Sequence, residues 1–374
     1  NTYNIGIGQG AGSSITTGIH NTLIGGLAGD ALTDADFNIA IGKGALGTDT
    51  LGSSSIAIGE GALLNQNFTT ATATYNVAIG HAAGNQVTTG TFNTFLGGLA
   101  GDAHTTADHN TALGLGAMST NTKGNKNTAV GSNALSDFNV GTDTDTFNTA
   151  VGFSAGTAVT TGVNNTLIGG LAGDALTDAD ANVALGAFAL GADTLGSKSV
   201  AIGDSALATQ NFTTATDSHN VAVGFSAGND ITTGIQNTIV GALAGDALTD
   251  ADFNTAVGYG ALSSDTLGNR SVAVGTNALA TQNFTTATNA YNTAVGESAG
   301  VSITTGAQND LFGGLAGDAL TDADFNVALG FATLSADTLG SRSTAVGHSA
   351  LATQNFTTAT DTYNTAVGFY AGVA

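Results

Sequence analysis

The chain has 374 residues, of which 9% are charged, and it contains no proline, cysteine or tryptophan. Its formal net charge of −22 at pH 7 argues against nucleic acid and anionic membrane surfaces as partners, because both select basic patches. An apolar fraction of 42% excludes a disordered chain, and no apolar run reaches the ~18 residues that a membrane-spanning segment needs. The lack of cysteine excludes a disulfide framework and thiolate metal sites.

An internal repeat organises the whole chain. The string Asn-x-Ala-Val-Gly, with small variations, starts at Asn4 and returns after 17, 17, 17 and 21 residues, and one such cycle covers 72 residues. We therefore divide the chain into five super-repeats and two partial ones. Residues 1–3 end a preceding turn, the super-repeats are 4–75, 76–147, 148–219, 220–291 and 292–363, and residues 364–374 begin a sixth.

Units of 17 to 21 residues are too short for a helical hairpin, and their Thr-Ala-Val alternation is typical of strands. One such unit cannot bury its own apolar face, but stacked units can. The sequence therefore predicts an all-β fold: one continuous parallel β-solenoid (β-roll). At about 4.8 Å per turn it would be a rod, with each super-repeat roughly 19 Å long.

Several positions of the unit are nearly constant and are predicted to be structural. The fifth is glycine in all 21 units, which indicates a positive φ or a contact where only hydrogen fits. The eighth is alanine except at Thr333, and the first is asparagine or serine, predicted to form an amide ladder between turns. Representatives are Gly8, Gly25, Gly42 and Gly59, Ala11 and Ala28, and Asn4, Asn21 and Asn38.

Two further features concern which side chains face outward. We expect the apolar fourth position to line the coil and the third position, usually alanine, to face outward and pack closely against another chain. The 21-residue units carry a loop, Gln-Asn-Phe-Thr-Thr-Ala-Thr, that we expect to project sideways. It contains the regularly spaced aromatic residues Phe68, Phe212, Phe284 and Phe356.

The strings SVAIGDSALA (199–208), SVAVGTNALA (271–280) and STAVGHSALA (343–352) resemble the YadA-like head of trimeric autotransporter adhesins. Similar Asn-Thr-Ala-Val-Gly arrays occur in phage tail fibres. The resemblance covers all 21 units. It implies a left-handed parallel β-roll, three chains around one axis, and a role in surface attachment.

The glycine-rich string GGLAGDALTDAD (169–180) is a candidate site that recurs along the chain. It is not a phosphate loop, because no Lys-Ser/Thr pair follows the glycines. Asp174, Asp178 and Asp180 could bind Ca²⁺, which prefers oxygen ligands. The equivalents are Asp30, Asp34, Asp36, Asp246, Asp250, Asp252, Asp318, Asp322 and Asp324. The alternative is a solvated turn in which aspartate and glycine satisfy local backbone groups.

Four of the six cations recur 72 residues apart, each one turn after an aspartate. The sequence predicts inter-turn ion pairs, and the predicted pairs are Asp108–Lys126, Asp180–Lys198, Asp252–Arg270 and Asp324–Arg342. The six histidines do not recur at like positions and are interpreted as surface residues. No catalytic set can be singled out, so we do not expect an enzyme.

These observations favour a structural protein. The leading hypothesis is the shaft or head of an extracellular trimeric fibre, of the adhesin or tail-fibre type, on a cell surface or virion. One alternative is an extracellular filament of solenoids assembled end to end. Another is a multivalent array that binds a host glycan or protein through the phenylalanine-containing loops. The expected partner is the chain itself, and calcium is the one candidate cofactor.

Overall fold

The computed structural model describes residues 2–373, and these form short strands and turns without a helix. The chain divides into two compact units, Asn1–Asn182 (unit 1) and Val183–Ala374 (unit 2). The boundary falls inside the super-repeat 148–219. Each unit is a stack of parallel turns, and the predicted parallel β-solenoid is confirmed in both.

Unit 1 contains ten turns, each with one three-residue strand. In chain order its strands are β1 (Ile5–Ile7), β2 (Thr22–Ile24), β3 (Ile39–Ile41), β4 (Gly52–Ser53), β5 (Ile56–Ile58), β6 (Thr72–Ala73), β7 (Val77–Ile79), β8 (Thr94–Leu96), β9 (Thr111–Leu113), β10 (Gly124–Asn125), β11 (Thr128–Val130), β12 (Thr144–Asp145), β13 (Thr149–Val151) and β14 (Thr166–Ile168). The three-residue strands pair in parallel from turn to turn with like positions in register, so that Leu23 of β2 lies beside Ala40 of β3.

Unit 2 contains eleven turns built in the same way. Its strands are β15 (Val183–Leu185), β16 (Gly196–Ser197), β17 (Val200–Ile202), β18 (Thr216–Asp217), β19 (Val221–Val223), β20 (Thr238–Val240), β21 (Thr255–Val257), β22 (Gly268–Asn269), β23 (Val272–Val274), β24 (Thr288–Asn289), β25 (Thr293–Val295), β26 (Asp310–Phe312), β27 (Val327–Leu329), β28 (Gly340–Ser341), β29 (Thr344–Val346), β30 (Thr360–Asp361) and β31 (Thr365–Val367). The two-residue strands form separate pairs at the 21-residue turns, as β16 does with β18.

The third position of the repeat lies inside the coil, and the fourth lies outside. Ala40, Ala57 and Phe95 are fully buried, whereas Leu96 and Leu113 are about two-fifths exposed. The predicted orientation of these two positions was therefore wrong. The interior is too narrow for a Val or Ile at every turn, so it takes the alanines, and the larger β-branched residues cover the outer face.

The large residues at the third position are accommodated by glycine at the ninth. A Cβ on Gly12 or Gly29 would lie 2.7–2.8 Å from the Leu23 side chain, and one on Gly101 would lie 2.3 Å from the Phe95 ring. In the other two turns of a super-repeat this relationship is reversed. Ala40 then leaves room for Leu46, which is fully buried. The paired alternation of Gly and Leu at the ninth position thus keeps the core filled, because the glycines make room for a large third-position side chain and the leucines lie beside third-position alanine.

The invariant fifth glycine satisfies both reasons that the sequence suggested. Gly25 has φ of 134°, and a Cβ there would lie 2.5 Å from the carbonyl oxygen of Gly42 on the next turn. Gly8, Gly42 and Gly59 have the same geometry, with φ between 131° and 136°. The eighth-position alanine is also confirmed as structural, since Ala28 has no solvent exposure.

The leading asparagines form a ladder between the turns, as predicted, although they bond mainly to backbone groups. The Asn4 Oδ1 accepts the backbone N–H of Asn21, and the Asn21 Oδ1 accepts that of Asn38, at 2.8 and 2.9 Å. The Asn21 Nδ2 also donates to the carbonyl of Ala35 at 2.7 Å. These asparagines bridge successive turns and close the corner of each turn.

The loop of the 21-residue turn differs from the prediction in one respect. Phe68, Phe212 and Phe284 are 5–6% exposed and pack inward, so they do not project from the surface. The Phe212 ring lies over Gly196, where a Cβ would be 2.7 Å from it. Residues 69–71 and 213–215 form the exposed part of these loops, and they consist of threonine and alanine.

Candidate functional site

The aspartates of the candidate calcium site are not brought together. The Asp178 Oδ1 accepts the hydroxyl of Thr161 at 2.5 Å, and the Asp180 Oδ1 accepts the backbone N–H of Val163 at 2.8 Å. Burial raises the pKa of Asp174. Within residues 2–373 no three His, Asp or Glu side chains form a group that could hold a metal ion. The structure therefore does not support the predicted cation site.

The equivalent aspartates follow the same pattern. Asp34, Asp250 and Asp322 accept a threonine hydroxyl on the preceding turn. Asp36, Asp252 and Asp324 accept a backbone N–H there. The carboxyl oxygens of Asp246 and Asp318 include one buried atom each without a hydrogen-bond partner. The second and third aspartates of each string therefore connect neighbouring turns and belong to the inter-turn hydrogen-bond network.

The recurring cations lie at the predicted corner, and three of the four form ion pairs with the following turn. Lys126 Nζ is 2.5 Å from Asp145, Lys198 Nζ is 2.5 Å from Asp217, and Arg342 Nε is 2.9 Å from Asp361. Hydrogen bonding to Lys198 lowers the pKa of Asp217. Lys126 and Arg342 are thus paired with the turn that follows them and not with the turn that supplies their predicted partners.

The predicted aspartate partners have other roles. The Asp108 Oδ1 accepts hydrogen bonds from the backbone N–H and the hydroxyl of Thr91. The contact between Asp108 and Lys126 is a backbone hydrogen bond, in which the Lys126 N–H donates to the Asp108 carbonyl. Asp252 and Asp324 bond to Arg270 and Arg342 through the same backbone contact. For these three pairs the predicted side-chain partner was wrong. The pair Asp180–Lys198 has one member in each unit and stays a prediction.

An exposed column, mostly of rings and cations, runs along this corner in each unit and is interrupted by Ser54, Asn164, Ala181, Gln236 and Gln308. Its members precede the leading asparagines and have positive φ, such as 59° at Phe37 and 61° at Arg270. Tyr3, His20 and Phe37 stack in sequence, with ring centroids 5.4 and 5.1 Å apart. We call this feature the corner column. Its regular stacking was not apparent from the sequence, where these residues vary from turn to turn.

A buried polar network supports each of four wide turns and was missed by sequence reasoning. The buried Asp193 carboxylate accepts the backbone N–H groups of Gly196 and Phe212 at 3.0 and 3.1 Å and the Gln210 Nε2 at 2.6 Å. Gln210 also bonds to Ser199 and Asn220. Burial raises the pKa of Asp193. The recurrence of Asp and Gln every 72 residues was the signal that could have revealed it.

The second super-repeat replaces this network with a different set of residues. Asn121 stands at the position of the aspartate, Phe138 at that of the glutamine, and His104 at that of Leu32. His104 is fully buried, its Nε2 lies 3.2 Å from the Asn121 Nδ2, and its Nδ1 has no partner. Burial lowers its pKa to about 3. The prediction that all histidines lie on the surface was wrong for His104.

The outer face of the sheet is the largest regular apolar surface of each unit. The fourth position is Ile, Val, Leu or Phe in every turn and points outward, with Leu185 and Leu329 43% and 48% exposed. The second position beside it holds Thr, Val or Ile, and Asp310 is its one acidic member. We call these two columns the sheet face. It offers an extended apolar surface with almost no charge.

Within the described residues no helix has the length and apolar character needed to cross a membrane. The fold defines a tandem-repeat protein of the parallel β-solenoid class. No protein-family model matches the chain, and no curated protein matches it. The likeness to adhesin heads and tail fibres therefore stays a prediction that rests on the quoted motifs.

Proposed function

We propose that the chain is the shaft or head of an extracellular trimeric fibre that presents or mediates attachment to a surface. The sheet face is the observation that carries the proposal. Extended apolar surfaces on soluble proteins commonly mark interfaces. Here such a surface recurs in register at every turn, as a homomeric interface between long repeat chains requires. The proposed location is a cell surface or a virion.

The charge distribution supports the same interpretation. The net charge is −22, yet the fourth-position column of the sheet face carries none of it. Self-repulsion between the acidic turns would keep chains apart except where an uncharged surface allows close approach. A parallel homotrimer would bury the sheet face of each chain at its axis and leave the acidic corners in solvent.

The phenylalanine-loop alternative has less support. Phe68, Phe212 and Phe284 are in the core, so a ligand would meet only the threonines and alanines of the loop tips. A receptor-binding role would therefore depend on another surface. The structural role remains the best supported, and the fibre would act by holding its attachment surface at a distance.

The test is the mass in solution, measured by sedimentation equilibrium for the full chain and for two single variants. Ile79→Lys places a charge in the middle of the sheet face, and Thr70→Lys places the same charge on an exposed loop tip. We expect a trimer for the parent and for Thr70→Lys, and a monomer for Ile79→Lys with its circular dichroism spectrum unchanged. A monomeric parent protein would contradict the proposal.

A further inference from the structure

The corner column of unit 2 contains two arginine side chains held between aromatic rings. The Arg270 Cζ is 4.5 Å from the Phe253 ring centroid and 6.0 Å from that of Tyr291. Arg342 lies in the same way between Phe325 and Tyr363, at 4.6 and 5.9 Å. These distances are within the range of cation–π attraction. Two rings that lie two turns apart thus form a slot between them, and the slot holds one guanidinium group.

The first super-repeat has the two rings of such a slot without the cation. Phe37 and Tyr75 occupy the two ring positions. Ser54 occupies the position that Arg270 and Arg342 hold in the fourth and fifth super-repeats. The backbone is equivalent, because the Ser54 N–H donates to the Asp36 carbonyl at 2.9 Å as the Arg270 N–H does to Asp252. The two rings are therefore about 9.6 Å apart, twice the spacing between neighbouring strands.

The exposure of Phe37 indicates that its face toward Ser54 is uncovered. Phe37 is 57% exposed, whereas Phe253 and Phe325, each covered by an arginine, are 38% and 41% exposed. The outer faces of the pair are already covered. His20 stacks on Phe37 at 5.1 Å, and Phe92 stacks on Tyr75 at 5.6 Å. The free faces of Phe37 and Tyr75 are thus the two that face each other across Ser54.

We propose that the slot formed by Phe37, Ser54 and Tyr75 binds the guanidinium group of an arginine side chain from a different protein. The occupant is inferred from the chain itself, since the equivalent slots of unit 2 hold guanidinium groups. The chain has only two arginines, Arg270 and Arg342, and both already fill slots of their own. No further arginine is present in residues 1–374, so we assign the occupant to a partner.

The slot has no carboxylate at the position that pairs with the cation at three other corners. Ala73 stands where Asp145, Asp217 and Asp361 pair with their cations. Asn289 occupies the same position beside Arg270 and accepts from its Nε at 3.2 Å. Arg270 thus contacts two rings and a neutral amide, and its charge opposes the rise that burial causes in the pKa of nearby Asp252, whose equivalent beside the slot is Asp36. The net charge of −22 adds a general attraction for the incoming cation.

The inference can be tested by ¹⁹F NMR on the full chain labelled with 3-fluorotyrosine at its six tyrosines. Each resonance is assigned by a single Tyr→Phe variant. The probe is arginine blocked at both ends, and the control probe is blocked citrulline, which has the same shape without the charge. Both are titrated at constant ionic strength. Tyr291 and Tyr363 serve as internal controls because each already contacts an arginine.

We expect blocked arginine to shift the Tyr75 resonance with half-saturation on the order of tens of millimolar, as two exposed cation–π contacts allow. The shifts at Tyr291 and Tyr363 should be about five-fold smaller, and citrulline should have little effect. Ser54→Arg, which recreates the arrangement at Arg270, should abolish the Tyr75 response, while Ser54→Ala should retain it. Equal responses to the two probes, or a response that survives Ser54→Arg, would overturn the proposal.

Discussion

The side-chain oxygen of Asn76 lies 2.9 Å from the backbone nitrogen of Asn93, which occupies the same position one turn further along. The Nδ2 of Asn76 donates to the Gly90 carbonyl at 2.7 Å and to the Gln66 Oε1 at 2.9 Å. One buried amide therefore satisfies three groups from three parts of the stack. This arrangement explains why asparagine leads most of the units.

Replacing Asn76 with alanine should destabilise unit 1 by about 3 kcal/mol, because it leaves buried donors and acceptors without partners. Urea denaturation followed by circular dichroism would measure the change. Asn67→Ala is the matched control, since Asn67 is exposed, and it should cost less than about 1 kcal/mol. Similar losses for the two variants would show that the ladder contributes little to stability.

Two adjacent glycines should respond very differently to the same substitution. Gly25→Ala introduces a Cβ 2.5 Å from the Gly42 oxygen at a φ of 134°, and we expect a cost of at least about 2 kcal/mol. Gly26→Ala meets nothing within 4 Å and should leave the melting temperature nearly unchanged. Thermal unfolding of both variants provides the comparison. A tolerated Gly25→Ala would contradict the close approach of the turns.

His104 should make stability depend on pH. Its pKa falls from 6.5 to about 3 because burial disfavours the charged form, so the unfolded chain takes up a proton at a higher pH than the folded chain does. Stability should therefore decrease as the pH falls from 6.5 towards 3, by up to about 1.4 kcal/mol per pH unit.

His104→Leu, which introduces the residue found at Leu32, should remove this dependence and should also stabilise the protein by about 1 kcal/mol at pH 7. The measurement is the difference in unfolding free energy between variant and parent across this pH range. The control is His81→Gln, at an exposed position, and its unfolding free energy should vary with pH in the same way as that of the parent. A constant difference between His104→Leu and the parent would mean that His104 titrates normally.

The two kinds of wide turn should be interchangeable only as complete sets. Asp193→Asn should cost about 1–3 kcal/mol, because an amide nitrogen would then face the Gln210 Nε2 donor. The combined change Asp193→Asn, Ser199→Asn, Gln210→Phe and Phe212→Val, completed by Leu176→His as the equivalent of His104, copies the set of the second super-repeat and should recover most of that loss. Chemical denaturation of both variants tests the coupling. Additive losses in the combined variant would show that the residues act independently.

The repeat alone was sufficient to predict the fold class, the parallel stacking, and the structural role of Gly25, Ala28 and Asn21. These follow from the sequence because a stack in register places every like position in one column. A residue that recurs without exception in such a column meets its own copy one turn away. Only a few side chains, such as glycine and asparagine, suit that contact.

The orientation of Ala40 and Ile41, the partner of Lys126 and the burial of Phe212 could not be predicted in this way. Alternation along a strand shows that two positions face opposite sides, but it does not show which side is the interior. That choice depends on the volume shared with residues elsewhere in the turn, as between Leu23 and Gly29. The direction of the Lys126 side chain depends on a left-handed corner, with φ of 62°, that only the folded turn defines.

The sequence by itself determined that the chain stacks and which positions hold the stack together, because periodicity acts through neighbouring copies of the same residue. The tertiary structure decided what each face presents to solvent. It buries Phe212, leaves the sheet face open, and exposes the slot between Phe37 and Tyr75. These outcomes depend on core volume and corner geometry, to which residues far apart in a turn contribute together.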